Sequence, residues 1–294
     1  MTSIYRRIYT MKKMMVIALA LCMVLSIVAC AKQADKTNDD GQPVLKVALS
    51  PDFSPMEFVD TSKEGQEQFV GFDVTLAKHI AEKLNMKLEI EPMSFDACQV
   101  AVQMGTVDLG ISGFSWTKDR AENYLISDYY IAGDNETEQV IIVPADKAGQ
   151  YSKAEDFAGL KIGAQAASLQ EMLCNEALPD ETSIELFKDI NVAVVALQTG
   201  KVDGVAVADG NADAIIANNQ DIAKSGFQFD VDPKYENNVI LLNQKDEELL
   251  KKVNEILADC MANDLYSGWY EEAKALAGID TAKEISYGDD GKAE

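Results

Sequence analysis

Apolar positions change period several times along the chain, and each change predicts an element. Val44-Leu45-Lys46-Val47-Ala48-Leu49 reads as a strand. Behind it Val74, Ala77, Ile80, Ala81 and Leu84 recur at helical spacing, with Asp73 placed as N-cap. Residues 95 to 104 form a second helical stretch stopped at Gly105, and Val107 to Ile111 reads as a strand. Strand and helix alternate, which is the pattern of an α/β fold. Further on, Leu160-Lys161-Ile162-Gly163-Ala164 predicts a strand, followed by a turn into Ser168-Leu169-Gln170-Glu171. Ser-x-x-Glu is a capping box: Ser168 accepts from the third amide of the helix and Glu171 reaches back. The other first-turn amides then point into the space before the helix, where a carboxylate is well received. Taken alone, an ordinary helix start facing solvent accounts for the same residues.

One stretch almost repeats. Val102-Gln103-Met104-Gly105-Thr106-Val107-Asp108-Leu109-Gly110-Ile111 matches Leu197-Gln198-Thr199-Gly200-Lys201-Val202-Asp203-Gly204-Val205-Ala206, each a helix end, a glycine cap and an apolar strand. A spacing of about ninety-five residues is too wide for a solenoid, whose periods run roughly 20 to 50 residues. It fits two similar α/β lobes, although a chance recurrence of a common helix-glycine-strand junction gives the same match.

The ends add an address. Arg6, Arg7, Lys12 and Lys13 precede an apolar run from Met14 to Ile27 and a small-residue step at Val28-Ala29-Cys30. That order predicts an export signal over residues 1–29, and the run is shorter than the roughly 20 residues of a spanning helix. Ile27-Val28-Ala29-Cys30 resembles the lipobox of bacterial lipoproteins, which implies lipidation at Cys30 and a membrane contact through the lipid anchor only. A secretory signal cut after Ala29 is the alternative, and translation from Met11 is the other open point. Residues 30–43 are small and polar, suited to a flexible tether.

Composition then removes whole classes of function. The chain carries 49 acidic against 26 basic side chains, a net charge of −23, and export removes only basic ones. Such a surface repels nucleic acid. Cys98, Cys174 and Cys260 are widely spaced with no C-x-x-C, so they read as buried thiols rather than a disulfide framework. His79 is the only histidine, which leaves no Ser-His-Asp triad and no His-based metal site, and no cofactor is expected.

An ordered set of segments carries a resemblance: Phe53-Ser54-Pro55-Met56-Glu57-Phe58, Gly71-Phe72-Asp73-Val74, Phe95-Asp96-Ala97, Gly105-Thr106-Val107-Asp108, Ser112-Gly113-Phe114-Ser115-Trp116-Thr117-Lys118-Asp119-Arg120 and Ser127-Asp128-Tyr129-Tyr130. Together they resemble the family 3 extracellular solute-binding proteins, the polar-amino-acid receptors of ABC importers. The resemblance implies a type II periplasmic-binding-protein-like fold, two-lobed, with a central ligand cleft and two hinge crossovers near residues 133–140 and 229–238. The implied boundaries are 44–136 plus 237–280 for the first lobe, 137–236 for the second and 281–294 for a C-terminal tail.

The site implied by the resemblance is specific. Arg120 and Ser115 hold a ligand carboxylate, which a guanidinium fork matches bidentately; the Gly113 carbonyl is left for an ammonium group. Without that context Arg120 reads as a surface ion pair to Glu122 or Asp119, worth roughly 0 to 1 kcal/mol. Phe53 and Phe95 occupy aromatic-wall positions, with core packing as the alternative for both. Gln165 sets selectivity, and Ser168 with Leu169 opens the second-lobe helix. Ser50 stands where cation-binding relatives carry an aspartate, which disfavours a lysine or arginine pocket. Two departures stand out. The family's Gly-Thr before the second-lobe helix is Ala167-Ser168, and the aspartate expected five residues after Asp203 is Ala208, followed by Asp209. A bulge between Val205 and Asp209 would turn Asp209 inward to meet a ligand ammonium; Asp203 reads as structural. The function so implied is a monomeric, extracytoplasmic lipoprotein that captures an amino acid or amino-acid-like solute by lobe closure and hands it to an ABC permease, without catalysis. A sensory or adhesive lipoprotein and a dehydratase-like enzyme on the same fold are the alternatives.

Overall fold

The apolar run at Val44–Leu49 forms β1, and four of its six residues are fully buried. Alternate side chains explain this: Leu45 and Val47 face one hydrophobic cluster and Ala48 another on the opposite side of the sheet. The structure, a computed structural model, describes residues 41–131 and 138–279. The expected signal segment, Cys30, the tether up to residue 40, most of the first crossover and the C-terminal tail lie outside the described residues.

After β1 come two short strands, β2 (Asp52–Phe53) and β3 (Glu57–Val59), and β4 (Phe69–Val70), which make a small antiparallel sheet. Helix α1 (Phe72–Lys83), β5 (Lys87–Pro92), α2 (Phe95–Met104), β6 (Leu109–Ser115), α3 (Lys118–Asn123) and β7 (Leu125–Ile126) follow. The chain then crosses over. It builds β8 (Gln139–Pro144), β9 (Lys161–Gln165), α4 (Leu169–Ala177), β10 (Ser183–Phe187), α5 (Ile190–Gln198), β11 (Gly204–Ala208), α6 (Asp209–Asn218) and β12 (Ile222–Gln228). Through residues 229–237 it returns to β13 (Asn238–Leu242), α7 (Glu247–Ala262) and α8 (Leu265–Leu276).

Two five-stranded sheets result, ordered β5-β1-β6-β13-β7 and β10-β9-β11-β8-β12. In each, the first three strands are parallel and the fourth runs antiparallel to its neighbours. The antiparallel strand is in both cases the first one built after a crossover, so the middle of the chain makes one lobe (lobe 2) and its two ends make the other (lobe 1). This is the two-lobed α/β architecture the sequence implied, with helices on both faces of each sheet.

The near-repeat is real in three dimensions. Gly105 and Gly200 both take the left-handed conformation at the helix ends, φ +69° and +68°. In lobe 1 the Asp108 amide donates to the Lys46 carbonyl and its carboxylate accepts from the Lys46 amide, both at 2.8 Å. In lobe 2 Asp203 does the same to Lys161, at 2.7 and 3.0 Å. Each aspartate ties the turn before a central strand to its neighbour, which is why the first strand begins at Leu109 rather than at Val107.

One expected cap is corrected. Helix α1 starts at Phe72 with Gly71 at the N-cap, φ +118°, where a Cβ would lie 2.4 Å from the Met56 carbonyl oxygen. Only glycine fits, so Asp73 falls one step inside the helix and its side chain is buried. Half of the expected capping box is made: Ser168 caps α4 by accepting from the Glu171 amide at 3.1 Å, while Glu171 reaches past the Ser168 amide to accept from the Ala167 amide at 2.6 Å. The three thiols are free and buried, and burial pushes Cys174 up to about 12, far from thiolate chemistry at neutral pH. Among the described residues no helix is long and apolar enough to cross a membrane.

Candidate functional site

A narrow cleft lies between the lobes. Lobe 1 lines it with Phe53, Phe95, Gly113, Ser115 and Arg120, and lobe 2 with Gln165, Ser168 and Leu169. These are eight of the nine residues singled out from the sequence for the solute. Gln170, Ile190, Ala206, Val207 and Ala208 complete the wall.

Arg120 is the central group. Thr117 caps α3 by accepting from the Arg120 amide, which starts the helix so that this side chain folds back over β6. It is 3% exposed, and burial pushes its guanidinium down to about 10, still cationic at neutral pH. Its charge stands over the rings of Phe114 and Phe95, 5.2 and 5.5 Å from their centroids. Nε donates to Gln99 Oε1 at 3.2 Å, Nη1 to the Ser115 carbonyl at 2.6 Å and Nη2 to the Ala167 carbonyl at 2.9 Å. A guanidinium has five N–H donors, so each terminal nitrogen keeps one. Among the described residues no carboxylate pairs with Arg120; Glu122, one alternative partner, is with Lys118 instead at 3.7 Å.

Gly113 sits at φ +57°, and a Cβ there would lie 2.6 Å from the Phe53 ring. The glycine therefore lets the aromatic wall lie against the strand end. Phe95 is both wall and core: it lines the cleft and packs on Phe114 at 4.7 Å between centroids. On the facing lobe Leu169 and Gln170, whose amides open α4 and have no acceptor within it, both line the cleft. Ala167, before them, is held at φ +63°. That is the departure from glycine noted in the sequence, and the side chain is carried in a conformation it disfavours by roughly 1–2 kcal/mol.

Asp209 is the exception among the expected residues. Strand β11 pairs with β8 residue by residue through Ala208 with no bulge, so Ala208 faces the cleft and Asp209 begins α6 beyond it. There its carboxylate pairs with Lys224 Nζ at 2.7 Å, and Lys224 also holds Asp213 at 2.7 Å. The expected inward turn is not made, because nothing lengthens the strand by the residue it needs.

Asp52 was not singled out from the sequence, and it spans the lobes. Its Oδ2 accepts from Gln165 Nε2 at 2.9 Å and from the Ile190 amide, the first of α5, at 2.7 Å; its Oδ1 accepts from Ser50 Oγ at 2.7 Å. Desolvation pushes this carboxyl up to about 6. With the Arg120–Ala167 bond and Asn211 Nδ2 donating to the Ser54 carbonyl at 2.9 Å, it holds the lobes together around the cleft. Its partners lie 113 and 138 residues away, so no local pattern marks it. Among the described residues no cluster of side chains is arranged to hold a metal ion.

The cleft thus places one buried guanidinium between two α/β lobes, an arrangement suited to an anionic group of a small molecule. A family model for bacterial extracellular solute-binding proteins, family 3, matches residues 45–273, and the chain belongs to that family. It is therefore an extracytoplasmic solute-binding protein. It is 30% identical to a probable histidine-binding protein of Neisseria gonorrhoeae, over 93% of this chain and 99% of that protein. It is 27% identical to the arginine-binding extracellular protein ArtP of Bacillus subtilis, over 86% and 94%. Among solved structures, the amino acid ABC transporter substrate-binding protein AbpA of Streptococcus pneumoniae, bound to L-arginine, superposes with a TM-score of 0.73 at 30% identity, covering 81% of this chain and 97% of that one.

Proposed function

We infer that this protein is the receptor of an ABC importer, capturing a small amino acid or amino-acid-like solute by its carboxylate and releasing it to a permease. The observation that carries the reading is Arg120: a buried cation in the cleft that, among the described residues, has no carboxylate partner and keeps one donor on each terminal nitrogen. A buried charge requires a partner, and a ligand carboxylate supplies it. Relatives described as arginine- and histidine-binding support the solute class. The same reading includes a lipid at Cys30 that holds the protein at the membrane, action as a monomer and no catalysis. A thermal-shift screen of the purified protein against amino acids, amines, dicarboxylates and short peptides tests it. A ligand at a hundred times its dissociation constant adds about 2.7 kcal/mol of stability. Stabilisation by amines but by no carboxylate would remove Arg120 from the binding role.

The wall of the cleft favours one particular second reading. Among the described residues no acidic side chain lines it, since Ala208 stands in the wall while Asp209 is paired with Lys224. Such a cleft suits a carboxylate whose remainder is neutral. Including each amino acid with its 2-oxo acid in the screen separates the two: a preference for the 2-oxo acid identifies the neutral remainder.

A further inference from the structure

Beneath the cleft two carboxyl groups are buried against each other. Glu57 of β3 and Asp73 of α1 are both without exposure and within hydrogen-bonding reach of one another. Asp73 Oδ2 accepts from the Gly113 amide at 2.7 Å and from the Tyr130 hydroxyl at 3.0 Å. Glu57 Oε1 accepts from the Ser112 hydroxyl, which itself accepts from the Ser50 amide at 3.0 Å. The remaining two oxygens, Glu57 Oε2 and Asp73 Oδ1, are buried and have no donor among the described residues. Two buried carboxyl groups this close repel when both are ionised; a proton held between them makes each the partner of the other.

We propose that Glu57 and Asp73 hold a single proton between them, carried by Glu57, and that this pair positions the Ser112–Gly113 segment of the cleft wall. The placement of the proton follows from the donor count: Asp73 receives two hydrogen bonds at one oxygen and keeps the negative charge, while Glu57 receives one. The surroundings agree. Asp52 of β2 adds a further negative charge near Glu57, the Tyr130 phenol stands on Asp73, and Cys98 of α2 is a neutral buried thiol; among the described residues no cation pairs with either carboxyl. Desolvation and then the neighbouring charge of Asp73 raise Glu57 well above the ordinary glutamate value.

The pair joins β3, α1 and β6 at the place where Gly113 presents its left-handed turn to Phe53. Loss of the proton leaves two anions in contact, drives Asp73 away from the Gly113 amide and loosens that turn. A raised carboxyl contributes stability that is complete below its unfolded value and is lost as pH rises through its folded value. The folding equilibrium constant therefore falls by up to about tenfold per pH unit above the ordinary glutamate value of 4.5.

Glu57→Gln keeps the shape, accepts from Ser112 through its carbonyl and donates to Asp73 through its amide. Infrared difference spectra of wild type minus Glu57→Gln at pH 7 are expected to show the carbonyl band of a protonated carboxylic acid. A carboxylate pair of bands in its place overturns the proposal. Urea unfolding of the two proteins is expected to diverge with rising pH, with Glu57→Gln losing the share of the fall that belongs to Glu57 and keeping that of Asp73, which burial raises to about 7; parallel curves overturn it as well. The Gly113 amide is expected to stay protected from hydrogen exchange in Glu57→Gln and to exchange faster in wild type as the acid band disappears; protection that ignores the band removes the positioning role. If Glu57→Gln does not fold, wild type labelled with carboxyl-13C glutamate gives the band without any substitution. A second variant, Asp73→Asn, whose amide donates to Glu57, is expected to abolish it. None of these measurements uses a ligand, so they stand or fall apart from the solute assignment.

Discussion

Lobe 1 and lobe 2 share a strand order, a left-handed glycine behind the second helix and an aspartate that ties the same two strands. Counted along that repeat, Gly113 of lobe 1 corresponds to Ala208 of lobe 2, and both line the cleft. Beyond this point the lobes part. After Gly113 the chain stays in β6 to Ser115 and turns into a helix that returns Arg120 to the cleft. After Ala208 it enters α6 at once, and the first charged side chain, Asp209, is tied to Lys224. Lobe 1 supplies the cation; lobe 2 supplies a helix start, an amide side chain and a small apolar wall. The scaffold sets where a side chain can stand, and the few residues after the strand end set the chemistry.

The largest test of this contrast removes the two charges in turn. Arg120→Ala is expected to weaken carboxylate binding by two to four orders of magnitude, because removing one partner of a buried pair costs roughly 3 to 5 kcal/mol. Asp209→Ala is expected to leave affinity unchanged within about twofold, since its carboxylate serves Lys224 outside the cleft. Calorimetric titration of both breaks the comparison if Asp209→Ala proves the more damaging.

The corresponding pair Gly113 and Ala208 gives the next effect. Gly113→Ala puts a methyl group 2.6 Å from the Phe53 ring and a side chain at φ +57°, so a loss of about 1–3 kcal/mol with a displaced Phe53 is expected. Ala208→Gly, in extended backbone at φ −67°, should cost no more than about 1 kcal/mol. Chemical denaturation of both variants reads the difference.

Where the lobes are alike, the substitutions should be alike. Asp108→Ala and Asp203→Ala each leave a strand amide without its acceptor, so losses of about 1 kcal/mol are expected, the larger at the half-buried Lys46 amide of lobe 1. A larger loss for Asp203→Ala in the denaturation midpoints would show that the repeat is geometric but not energetic.

Asp52 sharpens the comparison because it joins the lobes. Its closed-state value of about 6 lies above that of an open, hydrated carboxyl, so protons favour the closed form. Lowering the pH from 7 to 5 is expected to strengthen ligand binding by up to about tenfold, and Asp52→Asn should flatten that dependence. The smallest expected effect is Ala167→Gly, which relieves φ +63° for a gain of about 1 kcal/mol or less, read from the thermal midpoint.

Much of this was legible along the chain because it is local. The apolar run at Val44, the helix stopped by Gly105, the cap at Ser168 and the repeat all depend on neighbours a few residues away. Eight of the nine residues expected to meet the solute reach the cleft for the same reason, since short segments carry them there. The misplacements are equally physical. Asp73 looks like an N-cap until Gly71 is seen pressed against Met56, and Asp209 looks available until strand pairing and Lys224 fix it outside the cleft.

The sequence by itself determined the α/β class and pointed to the repeat and to Arg120, because periodicity, glycine caps and charge are properties of residue order. Only the tertiary structure decided that Asp52 spans two lobes, that Glu57 meets Asp73 and that Ala208 rather than Asp209 lines the cleft. These depend on contacts between distant segments and on a strand register in which one residue changes the face presented.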